Sequence, residues 1–589
     1  MERLVQFYTE EKGRLETELK AVKNKLTNLS VLRLIVFLLT SGGIYFFFDD
    51  LMIAGIIAAF GIILFWVLLM KYLDTKEEKE LLVTKIEINV TEIKVQQGDF
   101  SFLKTGEEFI DGTHVYSNDI DLFGRGSFFQ YLNRTATDEG AQKLANTLTE
   151  NKITEIVEKQ EGIKDLSKKV QWRQHFSALA GLVKVQHSSK VIVDFIQNYQ
   201  SVFSKVVSLL PLVFSLTSLL LITLTSFQII SFTVLTIWFF IGLGITGRFI
   251  KKTQNIYTKA GKSKDTFKQY HQLLQEIENI GFTSEILKRK QTIIQSEDTK
   301  ASTIFMKFSR ILDAFDQRNN LFVVLIGNAF FLWDLRNACK VEKWILTYKH
   351  TVEKWFEVIT FFDAQNSLAN FHYNHPEYSF PKIGKENAVI KSVELGHPLL
   401  NSEKRIDNDF NINDQEFYII TGANMAGKST FLRTVSLSIV MANVGLPVCA
   451  KEFEYSPIKL ITSMRTSDSL ADDESYFYSE LKRLKFIVDT IDTDEYFIIL
   501  DEILKGTNSK DKAIGSKKFV EKLVSSKSTG IIATHDVSLC ELENDFSEIK
   551  NYYFDAEITN DELYFDYLFK KGVCKNMNAS FLLKKMKIV

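Results

Sequence analysis

Apolar positions along this chain fall into two regimes, and each predicts a different kind of element. From Leu34 to Phe48 there is no charged residue; Asp49-Asp50 follows, and Leu51 to Met70 is again uncharged. The second stretch, about 20 residues, is long enough for a helix to span a hydrocarbon core. The first reaches that length if Val31 and Leu32 join it and Arg33 snorkels to the interface. Val206 to Gly247 is also uncharged, about two spans long, with a turn expected near Ser226-Phe227-Gln228. Both tracts read as transmembrane hairpins. Leu321 to Trp333 is apolar but too short to span and holds Asn328, so a buried core helix is expected there. From residue 386 onward apolar strands alternate with helices, the order of a nucleotide-binding α/β domain.

The expected fold class is therefore multidomain, α and α/β. Residues 1–30 form a charged helical lead-in, whose plainest reading is a solvated face. Residues 31–73 and 206–250 form the transmembrane hairpins. A mainly helical core occupies 76–205 and 251–385, and a P-loop α/β domain fills 386–589.

Charge sets the orientation. Arg33, Lys71, Arg248, Lys251 and Lys252 lie at the outer ends of the hairpins, and the hairpin loops carry no Lys or Arg. The positive-inside rule places the N-terminus and the α/β domain in the cytoplasm, with the chain multi-pass in the cell membrane. A signal peptide at 34–70 is disfavoured by its length, the lack of a small-residue cleavage site, and the second span. The 589 residues hold 71 basic and 73 acidic side chains, a net charge of -2, so there is no global basic signal for nucleic acid. Cys339, Cys449, Cys540 and Cys574 show no metal spacing and read as reduced thiols. Proline is scarce at 6, which suits long helices.

The chemistry sits in the α/β domain. Gly422-Ala423-Asn424-Met425-Ala426-Gly427-Lys428-Ser429 fits GxxxxGKS/T, with Thr430 next, between an apolar strand and a helix. Gly422 and Gly427 let backbone N–H groups turn toward phosphate, Lys428 reaches the terminal phosphates, and Ser429 offers a hydroxyl to Mg2+. Tyr496 to Leu500 is a buried strand ending in Asp501-Glu502. Asp501 is placed to hold Mg2+ through water, and Glu502 to orient the attacking water on ATP. A third strand ends at Thr534-His535, where a neutral His535 could bond the γ-phosphate or that water. A lone histidine is more often structural; its place one strand after Asp501-Glu502 favours function.

These stretches resemble the MutS mismatch-repair ATPases, an ABC-type family. Thr421 to Thr430 is similar to TGxNMxGKST, Asp501 to Ser509 to DExxRGTS with Lys505 in place of Arg, and Ala533-Thr534-His535 to the family's ATH switch. Asp468 to Leu481 resembles its signature DxxxxxxSxFxxEL, and Gly396-His397-Pro398-Leu399-Leu400 its GxHPxL lead-in. Upstream, Phe128 to Gly140 is similar to the LLxxLNRTxTxxG start of the MutS core, and Val352 to Phe371, with Asp363, to its end. Phe554 to Val573 resembles the last strand and turn.

The resemblance implies ATP and Mg2+ as cofactors, and a homodimer through the ATPase domains in which Ser475 reaches the γ-phosphate bound by the partner. It implies Glu502, His535 and Lys428 as catalytic groups. The family's mismatch-reading domain has no counterpart, and the second hairpin falls where long levers carry a DNA clamp. Helices near 190–205 and 250–280 are expected to act as levers reaching the lipid bilayer instead. DNA is a candidate partner that no sequence feature demands. An ABC-type transporter is the alternative, against which stand the missing LSGGQ and only two separated hairpins. A membrane scaffold with little turnover is a third reading.

Overall fold

The computed structural model describes residues 2–182, 189–261, 263–295, 299–384, 388–423, 425–465, 476–505, 507–559 and 562–575. It begins with two helices, α1 (Glu2–Phe46) and α2 (Leu51–Gln96), of 45 and 46 residues. Each is about 70 Å long at 1.5 Å per residue. The expected boundaries near 30 and 73 are not breaks: the apolar and charged halves of each helix form one rod. A seven-residue repeat crosses those boundaries. Tyr8, Leu15, Val22 and, two repeats on, Val36 are buried along α1, and Ala54, Gly61, Leu68, Thr75, Leu82 and Asn89 along α2. Such a seam lets two antiparallel helices pack along their whole length. At Gly61 a Cβ would fall 2.2 Å from Thr40 Oγ1, so glycine is what permits the approach. Asp50 caps α2 at the turn, accepting from the N–H of Met52 (3.1 Å) and Ile53 (3.2 Å).

The other end of this rod docks on the helical core. Its helices are α3 (Phe128–Leu132), α4 (Asp138–Thr149), α5 (Ile156–Ser167), α6 (Val170–Gly181), α7 (Ser189–Gln197), α8 (Lys205–Ser226), α9 (Phe232–Gly261), α10 (Lys264–Asn279), α11 (Glu285–Thr292), α12 (Ala301–Asp316), α13 (Asn328–Phe331), α14 (Trp333–Tyr348) and α15 (Val352–Asn374). Tyr8 Oη donates to Asn374 Oδ1 at 2.7 Å. Glu92, buried on α2, accepts from Arg134 Nε (2.6 Å), Asn370 Nδ2 (3.0 Å) and Asn374 Nδ2 (2.9 Å). The two stretches that resemble the ends of the MutS core meet at Asp363. Its carboxylate accepts from the N–H of Ala136 (3.0 Å) and from the N–H (2.9 Å) and hydroxyl (2.6 Å) of Thr137, which caps α4. A Cβ on Gly140 would strike Asp363 Oδ2 at 2.1 Å.

The second apolar tract is the α8–α9 pair, with its turn at 227–231 as expected. Phe214 stacks on Trp238 with ring centroids 4.4 Å apart, and Trp238 Nε1 donates to Ser218 Oγ at 2.7 Å. Of the two stretches expected as continuous helices, 250–280 is divided: α9 runs unbroken from the apolar tract to Gly261, and α10 begins at Lys264. Residues 198–204 are instead a connection, held by the buried Glu342, which accepts from Ser201 Oγ (2.6 Å) and the Val202 N–H (2.7 Å). Among the described residues, four helices (α1, α2, α8 and α9) are long and apolar enough to cross a membrane. The expectation of a buried core helix at 321–333 fails. A π-helical turn (Val323–Gly327) leads into α13, and Leu321 and Phe322 are 71% and 74% exposed. Length and Asn328 argued against a span, but not for burial.

The α/β part contains β1 (Lys382–Ile383), β2 (Ala388–Leu395), β3 (Asn408–Asn413), β4 (Phe417–Gly422), α16 (Lys428–Val444), β5 (Glu452–Tyr455), β6 (Lys459–Ser463), α17 (Tyr476–Ile491), β7 (Tyr496–Asp501), α18 (Ser509–Ser525), β8 (Thr529–Ala533), α19 (Leu542–Asp545), β9 (Ile549–Phe554), β10 (Glu557–Thr559), β11 (Glu562–Tyr564) and β12 (Lys570–Lys571). A six-stranded sheet has the order β12-β9-β4-β8-β7-β6, parallel except for β12. A smaller sheet, β1-β5-β2-β3, covers one side. All six residues of β4 are buried, as both-face burial of a parallel strand requires. The core closes over the edge strand β6. Asp119 accepts from Thr462 Oγ1 (2.6 Å), and Asn151 exchanges bonds with the Leu460 backbone (2.9 and 3.0 Å).

Candidate functional site

The carboxyl ends of β4, β7 and β8 lie side by side, so three motifs far apart in sequence open onto one cleft of about 570 Å3. The loop after β4 turns through Gly422 (φ +153°) and Gly427 (φ +105°). A Cβ on Gly422 would lie 2.6 Å from the Phe554 carbonyl oxygen on the neighbouring β9, so this position requires glycine twice over. Ala423 and Ala426 are buried beneath the loop, while Met425 is 75% exposed at its tip with φ +69°. Lys428 opens α16, and Gly427, Lys428, Ser429 and Thr430 at its N-terminus line the cleft, the end of a helix that favours an anion.

Lys428 is expected to reach phosphate. It is buried, and its Nζ donates to the loop carbonyls of Gly422 (2.7 Å) and Ala423 (2.9 Å). Burial lowers its pKa from the usual lysine value. The ammonium thus folds back on its own loop, with its charge held by carbonyl dipoles that a phosphate oxygen can replace. Ser429 Oγ donates to Asp501 Oδ2 at 2.6 Å. A hydroxyl and a carboxylate in contact beside a phosphate loop form the donor set Mg2+ takes, the remaining positions going to phosphate and water. No group of three or more His, Cys, Asp or Glu suited to a metal occurs among the described residues.

Glu502 and His535 come together as the sequence suggested, but paired with each other. His535 Nε2 donates to Glu502 Oε1 at 2.8 Å, and Lys505 Nζ is 3.5 Å from Glu502 Oε2. The bond from His535 is the main reason the Glu502 carboxyl is held down to about 2; Lys505 adds to it. The Glu502 backbone is bent into the left-handed region (φ +51°), and its N–H donates to the Ala533 carbonyl at 2.9 Å. That strain aims the carboxylate off the strand and into the cleft.

Two features were not foreseen. Glu480, buried on α17, accepts from the N–H of Leu504 (2.5 Å) and Lys505 (3.0 Å), tying the helix that carries the end of the signature segment to the loop after Glu502. The far wall of the cleft is formed by His397, Leu400, Ile406, Phe554 and Tyr567. The motifs around His397 and Tyr567 signalled this wall without showing that they meet. Burial drops His397 to about 4, leaving a neutral, ring-shaped surface there. Asn424 and Ser475, and with Ser475 the signature residues 468–475, lie outside the described residues. Gly422, Ala423, Met425, Ala426, Gly427, Lys428, Ser429, Thr430, Asp501, Glu502 and His535 all lie in or around the one cleft.

Comparison with known proteins gives the same reading. Residues 418–585 match the family model of MutS domain V. The chain is 29% identical over 297 residues to the DNA mismatch repair protein MutS of Finegoldia magna, covering 49% of this chain and 33% of that protein. It is 32% identical over 229 residues to MutS of Alkaliphilus metalliredigens (36% and 26%), and 28% over 256 residues to MutS protein homolog 4 of Homo sapiens (41% and 26%). The matched part thus spans about a third or less of each relative's length. With its loop and its two strand ends converging on one cleft inside the matched region, this chain is similar to the MutS family through its domain V, residues 418–585.

Proposed function

We propose that the protein is an ATP hydrolase whose domain V pairs with a second copy and whose apolar helices fix it in a bilayer. The observation that carries the enzymatic part is the geometry around Lys428: a glycine-bent loop, Ser429 on Asp501, and Glu502 on His535 at one sheet edge. The triphosphate takes the loop and α16 end of the cleft, and the base takes the wall of His397, Ile406 and Tyr567. Lys428 exchanges its two carbonyls for phosphate oxygens. Ser429 and Asp501 would hold Mg2+, which when bound neutralises charge developing on the phosphates. Glu502, ionised at neutral pH, orients water; while His535 holds its carboxyl near 2 it is a poor proton acceptor, so positioning is its first role. Glu502→Gln should abolish turnover, by about 100-fold or more, while ATP binding persists. Unchanged turnover would refute the assignment.

Support for the bilayer comes from the four long apolar helices and their exposed faces, such as Leu39 at 71% and Phe60 at 68%. Transport fits less well. The hydroxyls of Ser215, Thr217 and Thr223 bond back to carbonyls four residues earlier and Ser218 receives Trp238, so they line no polar path. The relatives' names carry DNA mismatch repair, and mismatched or branched DNA is the candidate substrate that follows. ATPase rates of the solubilised full chain with duplex, mismatched and branched DNA at one fixed salt concentration test it. Stimulation by one form supports DNA handling. No stimulation and no binding leaves a membrane scaffold driven by ATP.

A further inference from the structure

We infer that residues 321–331 form a lipid-immersed element that dips into the cytoplasmic leaflet without crossing it. The inference rests on the membrane reading of α8 and α9. Leu321, Phe322, Leu325 and Ile326 are 71%, 74%, 42% and 48% exposed, a run of large apolar side chains that a water-facing surface disfavours. At 11 residues the segment reaches at most about 16 Å as helix, half of a hydrocarbon core.

Its position decides what covers it. A Cβ on Gly242 of α9 would lie 2.0 Å from the Ala329 carbonyl oxygen, and Phe239 meets Phe330 edge-on at 5.8 Å. Gly242 lies about 9 Å along α9 inside Arg248, well within the uncharged tract. The segment is thus continuous with the lipid-facing surface of the second hairpin. Its entry and exit are fixed by polar contacts that would face the cytoplasm. Arg318 pairs with Asp334 at 3.2 Å, both largely buried, and Asn328 Oδ1 accepts from the Asp334 N–H at 2.9 Å. Leu332, in the left-handed region at φ +46°, turns the chain into α14. There Arg336, Lys340 and Lys343 are exposed at helical spacing on one face. An apolar dip followed by a basic face matches the acyl region and anionic headgroups of one leaflet.

Spin labels at Phe322→Cys and Ile326→Cys test this in the full chain, reconstituted into phosphatidylcholine and phosphatidylglycerol vesicles. The native thiols are buried and compete little for label. Leu220→Cys in α8 and Leu346→Cys on α14 serve as references, being 57% and 40% exposed. Oxygen collisions should exceed those of a water-soluble nickel chelate at 322 and 326, as at 220, with the reverse at 346. Chelate access at 322 and 326 with oxygen dominance at 220 overturns the inference and leaves the membrane reading standing. Protection of 322 from both probes means that protein, such as a second copy, covers the segment, and overturns it too. Chelate access at 220 removes the membrane reading and the inference together.

Discussion

Glu480 shows how one buried carboxylate can govern another. Its two acceptor bonds hold the backbone of Leu504 and Lys505, two and three residues after Glu502. Glu480→Ala leaves these N–H groups without that acceptor, at a cost of about 1–3 kcal/mol each if they stay buried. The expected outcome is at least tenfold slower ATP turnover with ATP affinity little changed, because Lys428 and the loop are untouched; a parallel loss of affinity would place the defect elsewhere. His375 offers a second test at this scale. Its Nδ1–H donates to the Phe371 carbonyl at 2.8 Å and its Nε2 accepts from Tyr131 Oη at 2.7 Å, an arrangement that suits the neutral ring. Burial drops its pKa from 6.5 to about 4. The unfolded chain therefore takes the proton first. Stability is full above pH 6.5 and declines toward pH 4, by about 1.4 kcal/mol per unit for this group. Thermal unfolding across that window should show the decline, and His375→Gln should flatten part of it; His397 titrates in the same range and supplies some of the remainder.

Among the elements, Asp363 joins α15 to the start of α4, and the rods of α1 and α2 join the core at Glu92. Asp363→Ala strands three donors in a fully buried position and should lower unfolding free energy by about 3 kcal/mol. Gly140→Ala, which thrusts a Cβ against the same carboxylate, should act in the same direction. Urea unfolding of both variants checks this, and wild-type stability in either would contradict the assigned junction. This scale also shows how far the sequence could be read. The P-loop, the acidic strand end and the Thr-His strand were legible because each motif carries its own backbone requirement. The turn at Ser226-Phe227-Gln228 was legible because an uncharged tract two spans long must fold once. The continuity of α2 past residue 73 was hidden, because its seam keeps a seven-residue spacing while its outer face changes from apolar to charged. Glu92 was hidden for a related reason: in a Glu- and Lys-rich helix nothing marks the one carboxylate that folding buries. The exposure of Leu321 and Phe322 within the apolar tract 321–333 is not legible in the sequence, because hydropathy reports what avoids water and not what covers it.

For the whole molecule, the proposed function joins an ATP-driven pair of domains to long rods, so that closure at the nucleotide would move helices set in a bilayer. α1 and α2 are continuous from their apolar halves to the Glu92 junction, and residues 111–123 bind the edge strand β6 beside the site. The central claim is that each site is completed by a partner. Mixing two single variants of the full chain tests it most directly: Lys428→Ala, which spoils a subunit's own phosphate loop, and Ser475→Ala, which spoils what it lends to its partner. Each alone should be inactive. In an equal mixture random pairing makes about half the dimers mixed, each with one intact site, so ATP hydrolysis should return to about a quarter of the wild-type rate. No recovery on mixing, or full activity of Ser475→Ala alone, would contradict the account.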